Sequence, residues 1–238
     1  MLYALANRSV PEEDRVSSPE RDALMGLPRD RQHIGGRSHL VRQGHRQQHC
    51  YRLLTGFVQR NRITIDGQRQ ITGVYVPGDM FGMQLPGADA AVQGFETLGA
   101  ATIDAIALDD VANLATARPG VAKALWQHAI ADAAAACEWM SNLGRRDARD
   151  RILNLICELG LRLERAGMGT RDRFELPLTQ SDLADAAGLT PVHVNRVLQS
   201  LSADGTIARR GRNIVIDDWP RVSRLADFDG RHLKTALA

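Results

Sequence analysis

Residues 179–201, TQSDLADAAGLTPVHVNRVLQSL, constrain the fold more tightly than any other part of the 238-residue chain. Thr179 is suited to cap a helix, and Asp182 three residues on forms a variant of the capping box. Leu183, Ala186 and Ala187 fall on one face of that helix. Gly188 follows where helices commonly end in a left-handed residue, a conformation without steric cost for glycine. Thr190 then caps a second helix, with Pro191 at its first position, where a missing N–H does no harm. Val194, Val197, Leu198 and Leu201 repeat at helical spacing and must face a core, which turns Val192, Asn195, Arg196 and Gln199 outward. Two readings fit this stretch alone: a helical hairpin with a solvated outer face, or a helix-turn-helix presenting a reading helix to the DNA major groove.

The flanking sequence separates them. Downstream, Thr206–Arg209 and Ile214–Ile216 read as two short strands joined by a turn at 210–213, a hairpin with arginines at its tip. A helix pair followed by such a hairpin is a winged helix, whose wing brings cations to the phosphate backbone beside an occupied groove. The net charge of +2 alone says little. Its placement says more, because screening limits phosphate attraction to about 8–10 Å. Arg196, Arg209, Arg210 and Arg212 cluster in and after the second helix, whereas 179–190 carry Asp182 and Asp185 and no cation.

Upstream, residues 33–108 alternate short β-type runs with turn residues: His39–Arg42, Tyr51–Leu54, Phe57–Arg60, Arg62–Ile65, Gln70–Val76 and Ala101–Leu108. Asp66-Gly67 between alternating apolar residues is a hairpin signal, and many short strands with glycine turns predict an antiparallel jelly roll. From Asp109 the period becomes helical. A short helix over Asp109–Ala115 leads to a long one opened by Pro119, with Val121, Leu125, Ala129, Ala136, Trp139, Met140 and Leu143 near one stripe. A long helix is stabilised mainly by what packs on it, so this stripe is expected to meet the same helix of a second subunit. Residues 144–147 form the expected hinge, and a further amphipathic helix carries Ile152, Leu155, Ile156, Leu159 and Leu163. The expected organisation is a flexible arm (1–20), a jelly-roll sensor domain (21–115), a dimerisation helix (116–145), a winged-helix domain (146–218) and a tail (219–238) without assigned function.

At 44% hydrophobic and 24% charged residues the composition is that of an ordinary globular protein. No apolar run of spanning length occurs, and the N-terminus has no signal-type apolar core, so a cytoplasmic protein with no membrane partner is expected. Cys50, Cys137 and Cys157 form neither a disulfide framework nor a metal pair. His33, His39, His45, His49 and Cys50 are the candidates for haem, metal or redox chemistry. Each histidine reads more simply as a surface residue. Catalysis of the metal jelly-roll type needs convergent ligands, and between residues 33 and 110 Glu96 is the lone glutamate, so no enzyme and no metal site are expected.

Barrel, long helix, hinge and winged helix, taken in this order, resemble the CRP/FNR family of bacterial transcription regulators. The resemblance is carried by Gly44 and Gly56, by Pro77-Gly78-Asp79-Met80-Phe81-Gly82 and by Leu178–Ile216, and extends over about residues 20–218. It implies an α+β fold with a cyclic-nucleotide-binding-like jelly roll, a dimerisation helix and a C-terminal winged helix-turn-helix. It further implies a homodimer on double-stranded DNA, with RNA polymerase as partner, and it matches Arg196 to an arginine that contacts guanine. Three departures matter. Val192 stands where many members have a glutamate that accepts from cytosine. Gly82-Met83-Gln84 and Ala91-Val92 stand where cyclic-nucleotide-binding members have Gly-Glu-Leu and Arg-Ser. Without a cation at Ala91 a buried cyclic phosphate is uncompensated, so tight cyclic AMP binding is not expected. Residues 1–49 contain no cysteine for an iron–sulfur cluster.

The expected DNA-binding set is therefore Arg196 with Val192, His193, Asn195 and Gln199 for base readout. Arg209, Arg210 and Arg212, with the helix starts at Thr179, Gln180, Thr190 and Pro191, are expected to hold phosphates. The cofactor stays unassigned. The alternative is a haem- or redox-responsive sensor acting mainly through protein contacts.

Overall fold

The computed structural model describes residues 18–84, 86–88, 90–231 and 233. Most of the expected arm, residues 1–17, lies outside the described residues. Residues 18–20 belong to a helix, α1 (Ser18–Gly26), so the arm ends earlier than expected. The barrel comprises β1 (Asp30–Ile34), β2 (His39–Val41), β3 (His49–Thr55), β4 (Val58–Ile63), β5 (Arg69–Tyr75), β6 (Met80–Phe81), β7 (Gly94–Thr97) and β8 (Ala101–Ala107). They form two antiparallel four-stranded sheets, ordered β1-β8-β3-β6 and β2-β7-β4-β5. The expected hairpin turn at Asp66-Gly67 joins β4 to β5, pairing Ile63 with Arg69. β1, β6 and β7 are additional to the expected strands: each is polar, very short or glycine-led, and is held by its neighbours rather than by its own pattern. Between the sheets Phe81 stacks on Tyr51 and Tyr75, and Phe95 lies tilted against Tyr75 and Phe81, with ring centroids 5.0–6.0 Å apart.

Helices α2 (Leu108–Ala117) and α3 (Pro119–Arg145) follow, and Pro119 does occupy the start of the long helix. One side of α3 packs on its own protomer. Asp132 pairs with Arg60 of β4 at 2.6 Å, and Trp139 donates its indole N–H to Glu158 at 2.9 Å. Consequently the expected stripe splits. Val121 is fully buried and Trp139 is 8% exposed within the protomer, so neither is available to a second subunit. Leu125 and Leu143 are half-buried, while Ala129, Ala136 and Met140 are exposed. The reason is geometric: steps of four residues advance about 40° around a 3.6-residue turn, so 121, 125 and 129 walk from the inner face to the outer one. The open face carries Trp126 (70% exposed), Ile130 and Met140 (67%), with Ala133 and Cys137 between them.

The helix breaks at Arg146, and Asp147 caps α4 (Ala148–Arg165) by accepting from the Asp150 N–H, which places the junction inside the expected hinge. The remaining elements are β9 (Arg173–Glu175), α5 (Gln180–Ala187), α6 (Pro191–Ala203), β10 (Ala208–Arg210), β11 (Asn213–Val215) and α7 (Trp219–Leu225). β10, β11 and β9 form one antiparallel sheet. The described part of the segment after residue 218 belongs to this domain: Val222, Ala226, Phe228 and Leu233 are buried in the same core as Ile152, Ile156, Leu183 and Leu198. Asn154 of α4 donates to the Ala226 carbonyl at 3.0 Å, closing the domain. That core also takes in Ile71, Val74, Val76 and Leu98 of the barrel, so the two halves share one apolar cluster.

Candidate nucleic-acid interface

The interface grows from two helix caps and a turn. Thr179 and Asp182 form a reciprocal capping box at the start of α5. Gly188 ends that helix at φ 63°, ψ 43°, and Leu189 N–H closes back onto the Ala184 carbonyl at 3.0 Å. Thr190 caps α6 by accepting from His193 N–H, with Pro191 in the first turn. Val194, Val197, Leu198 and Leu201 are buried, and each fully buried leucine contributes about 1.5–3 kcal/mol to keeping α6 in place.

The face turned away from that core is the expected one. Pro191, Val192, His193, Arg196 and Gln199 are exposed, and Asn195 is half-buried. Arg196 makes no hydrogen bond or ion pair to any described residue, so its planar guanidinium is free to fork onto a base edge. Val192, 70% exposed, offers a methyl surface and no acceptor. Asn195 and Gln199 line a groove between α6 and the wing, closed on its far side by Arg209 and Gly211.

The wing needs one correction. On β10 Arg210 is exposed and Arg209 half-buried, with Arg209 folded onto the Gly211 carbonyl at 2.9 Å. Arg212 is exposed but engaged, donating to the carbonyls of Leu176 (3.1 Å) and Pro177 (2.6 Å) and lying 3.5 Å from Glu175. Its donors tie the wing to the chain entering α5. It therefore acts as a brace, because carbonyls at this bend would otherwise lack partners.

On the opposite side, α5 is clasped by the barrel. Asp182 has no solvent exposure; it accepts from Arg37 and, at 3.1 Å, from Arg69. Arg69 also reaches Asp185 at 2.7 Å, and Gln70 donates to the Asp185 carbonyl at 2.6 Å. Burial pushes the Asp182 carboxyl up, but hydrogen bonds from Arg37 and Thr179 outweigh it and hold the group below the ordinary aspartate value. None of these contacts touches the reading face. They escaped the sequence because nothing local links Arg37 to Asp182.

The barrel positions that depart from the cyclic-nucleotide pattern are apolar or occupied. Gly82, at φ 73°, receives the side-chain amide of Gln47 on its carbonyl at 2.5 Å. Met83 packs beside Cys50, Met80 and Leu108, and Ala91 is buried and tied to Gly44 and His45 through its backbone. Among the described residues no three His, Cys, Asp or Glu side chains converge as a metal site. Burial pushes the Cys50 thiol up to about 12, and the Cys157 thiol likewise. Thiols held so far from ionisation are poor nucleophiles. Iodoacetamide at pH 8 is accordingly expected to leave Cys50 and Cys157 unmodified in the native protein and to label both in urea, as read by mass spectrometry.

A fixed helix with an unpartnered arginine, a basic wing and a jelly roll behind them define a winged-helix DNA-binding protein with a barrel domain. Comparison with known proteins gives the family. The cyclic nucleotide-binding domain family matches residues 31–118, and the Crp-like helix-turn-helix domain family matches residues 150–225. The chain is 32% identical over 177 residues to the nitrogen fixation regulation protein FixK of Bradyrhizobium diazoefficiens, spanning 74% of this chain and 73% of that one. It is 28% identical over 224 residues to the transcriptional activator protein FnrL of Cereibacter sphaeroides, spanning 91% and 88%. The structure of FixK2 from Bradyrhizobium japonicum shares the fold, with a TM-score of 0.76 at 24% identity over 84% of this chain and 98% of that chain. The chain belongs to the CRP/FNR family of DNA-binding transcription regulators. No helix among the described residues is long and apolar enough to cross a membrane.

Proposed function

We propose that the protein acts in the cytoplasm as a homodimer on a palindromic operator. Each α6 enters one of two successive major grooves, about 34 Å apart. The observation that carries this reading is Arg196, exposed and without a partner among the described residues on a helix buried along its other face. Arg196 reads guanine; Val192, His193, Asn195 and Gln199 set the neighbouring preferences, with Val192 replacing a cytosine acceptor by a thymine-methyl contact. Thr179, Gln180, Thr190 and Pro191 bring helix N-termini to the phosphates, and Arg209 and Arg210 do so from the wing. RNA polymerase is the partner that a regulator of this kind engages once bound. The reading assigns the chain no catalytic step and no cyclic AMP, since neither Met83 nor Ala91 supplies charge to a nucleotide.

Selection of binding sites from random duplex DNA tests it: a two-fold symmetric motif is expected, and its absence would overturn the operator reading. Arg210→Ala is expected to weaken all sequences alike and to lower the salt slope by about 0.9 for each phosphate left without its cation.

The open face of α3 supports the dimer. Trp126, Ile130, Ala133, Cys137 and Met140 follow one another at alternating steps of four and three, the spacing of a two-helix seam. Trp126→Asp places an unpaired carboxylate in that seam, at a cost of about 3 kcal/mol or more. Sedimentation is expected to show a monomer and alkylation of Cys137 to accelerate; an unchanged dimer would move the interface elsewhere.

A further inference from the structure

Only Arg146 and Asp147 separate α3 from α4, so the covalent link from the long helix to the winged-helix domain is a two-residue joint. A second attachment runs from the barrel to α5. Arg69 of β5 reaches Asp185 at 2.7 Å, Asp182 at 3.1 Å and Glu96 at 3.4 Å. Its side chain is 23% exposed, so solvent screens these pairs only in part. Beside it Gln70 donates to the carbonyls of Asp185 at 2.6 Å and Ala186 at 3.3 Å. Both belong to the last turn of α5, whose final carbonyls have no partner within the helix. A carbonyl only accepts, so the sense of these two bonds is fixed. Ile71 and Val74 of β5 share one core with Leu183 and Ala186 of α5 and with Val194 and Leu198 of α6.

A two-residue joint keeps a few soft backbone angles, and a second point of attachment removes that freedom. The barrel is in turn tied to α3 by Arg60 and Asp132. A dimer on a palindrome has to present its two reading helices at one separation and one relative rotation. One added base pair moves a half-site about 3.4 Å along the duplex and about 35° around it. We infer that Arg69 and Gln70 are specificity-determining residues for the spacing of the two half-sites: by holding α5, and α6 packed on it, to the barrel, they set where each reading helix stands relative to α3. Neither residue stands on α6, so both are positioning residues, and their effect is read in spacing rather than in the base preferences within a half-site. The inference rests on the proposed palindromic operator.

Operators built from the wild-type half-site, at the selected spacing and with one or two base pairs added or removed, supply the test. Full-length protein is titrated against each by competition gel shift. The wild type is expected to favour one spacing and to lose affinity at its neighbours. In Arg69→Ala that loss for a single base pair is expected to shrink by about tenfold, the range of couplings carried by groups in contact. Gln70→Ala is expected to shrink it in the same direction and the double variant to shrink it further. Arg69→Lys is expected to retain part of the discrimination, because an ammonium still pairs with Asp185 but lacks the fork. Arg210→Ala, the phosphate control, is expected to lower affinity at all spacings alike. Motifs selected by the Arg69 and Gln70 variants are expected to match the wild type within each half-site. Spacing profiles of Arg69→Ala and the double variant that superimpose on the wild type would overturn the inference. So would tighter binding of these variants at the selected spacing, since the clasp would then be a restraint that DNA has to open. Should Arg69→Ala fail to fold, Gln70→Ala decides, because it leaves no charge unpaired. A wild type that enriches no palindrome would instead sink the operator reading, so the two failures are distinguishable.

Discussion

Arg196→Ala is expected to cost about 1–3 kcal/mol at each half-site and to relax the preference at one base pair, while leaving thermal stability unchanged. The separation of the two effects follows from the free protein. Arg196 has no partner among the described residues, so its truncation leaves no buried group unpaired and opens no cavity. What disappears, in the proposed reading, is made only with DNA: a planar fork matching guanine O6 and N7 together. Arg196→Lys is expected to recover non-specific binding without the base preference, because an ammonium supplies charge but not the fork. Competition binding against operators varied one base pair at a time reads both effects. A uniform loss over all operators would reassign Arg196 to the phosphate backbone.

Asp182→Ala is expected to lower the stability of the full chain by about 2–4 kcal/mol, read by urea unfolding. The cap of α5 accounts for about 1 kcal/mol. The rest comes from Arg37 and Arg69, left facing each other across an emptied site, although Arg69 keeps Asp185 and Glu96. Asp182→Asn separates the two contributions, since its carbonyl still accepts from the capping N–H while its charge is gone. The pH dependence has a definite sign. The Asp182 carboxyl is held below its ordinary value in the folded state, so its contribution is complete above the unfolded value of about 3.9. It is lost as pH falls through the lower folded value. The stability gap between wild type and Asp182→Asn should therefore close in that acid range and stay constant at neutral pH. A gap that persisted in acid would mean that Asp182 contributes through packing alone. Because the same residue joins α5 to the barrel, its loss is also expected to widen the range of half-site spacings that the protein accepts.

The pair α5 and α6 was legible in the sequence because every feature that makes it is local. Thr179 and Asp182, Gly188 with its left-handed φ, and Thr190 with Pro191 act over three or four residues, and the structure has all of them. Val194, Val197, Leu198 and Leu201 marked the buried face because an apolar residue at each turn admits one orientation on a short helix. The same reasoning failed on α3. That helix has apolar residues on two faces, and spacing alone could not assign Val121 and Trp139 to the protomer or Trp126 and Ile130 to its surface. Trp126 and Ile130 did leave a signal, an alternation of four and three, that a search for seams would detect.

Local chemistry also could not say where a long cation goes. Arg210 and Arg212 are equivalent in sequence, yet one points outward and the other binds the carbonyls of Leu176 and Pro177. Asp182 looked complete as a capping residue, but it also receives arginines 145 and 113 positions away. Sequence by itself determined the starts of α5 and α6, the turn at Asp66-Gly67 and the exposed face of α6, because those depend on backbone and side-chain interactions within one or two turns. The tertiary structure alone decided which face of α3 stays open, which arginine braces the wing and how the barrel grips α5. Those outcomes depend on where distant surfaces meet, and periodicity carries no record of the azimuth at which they do.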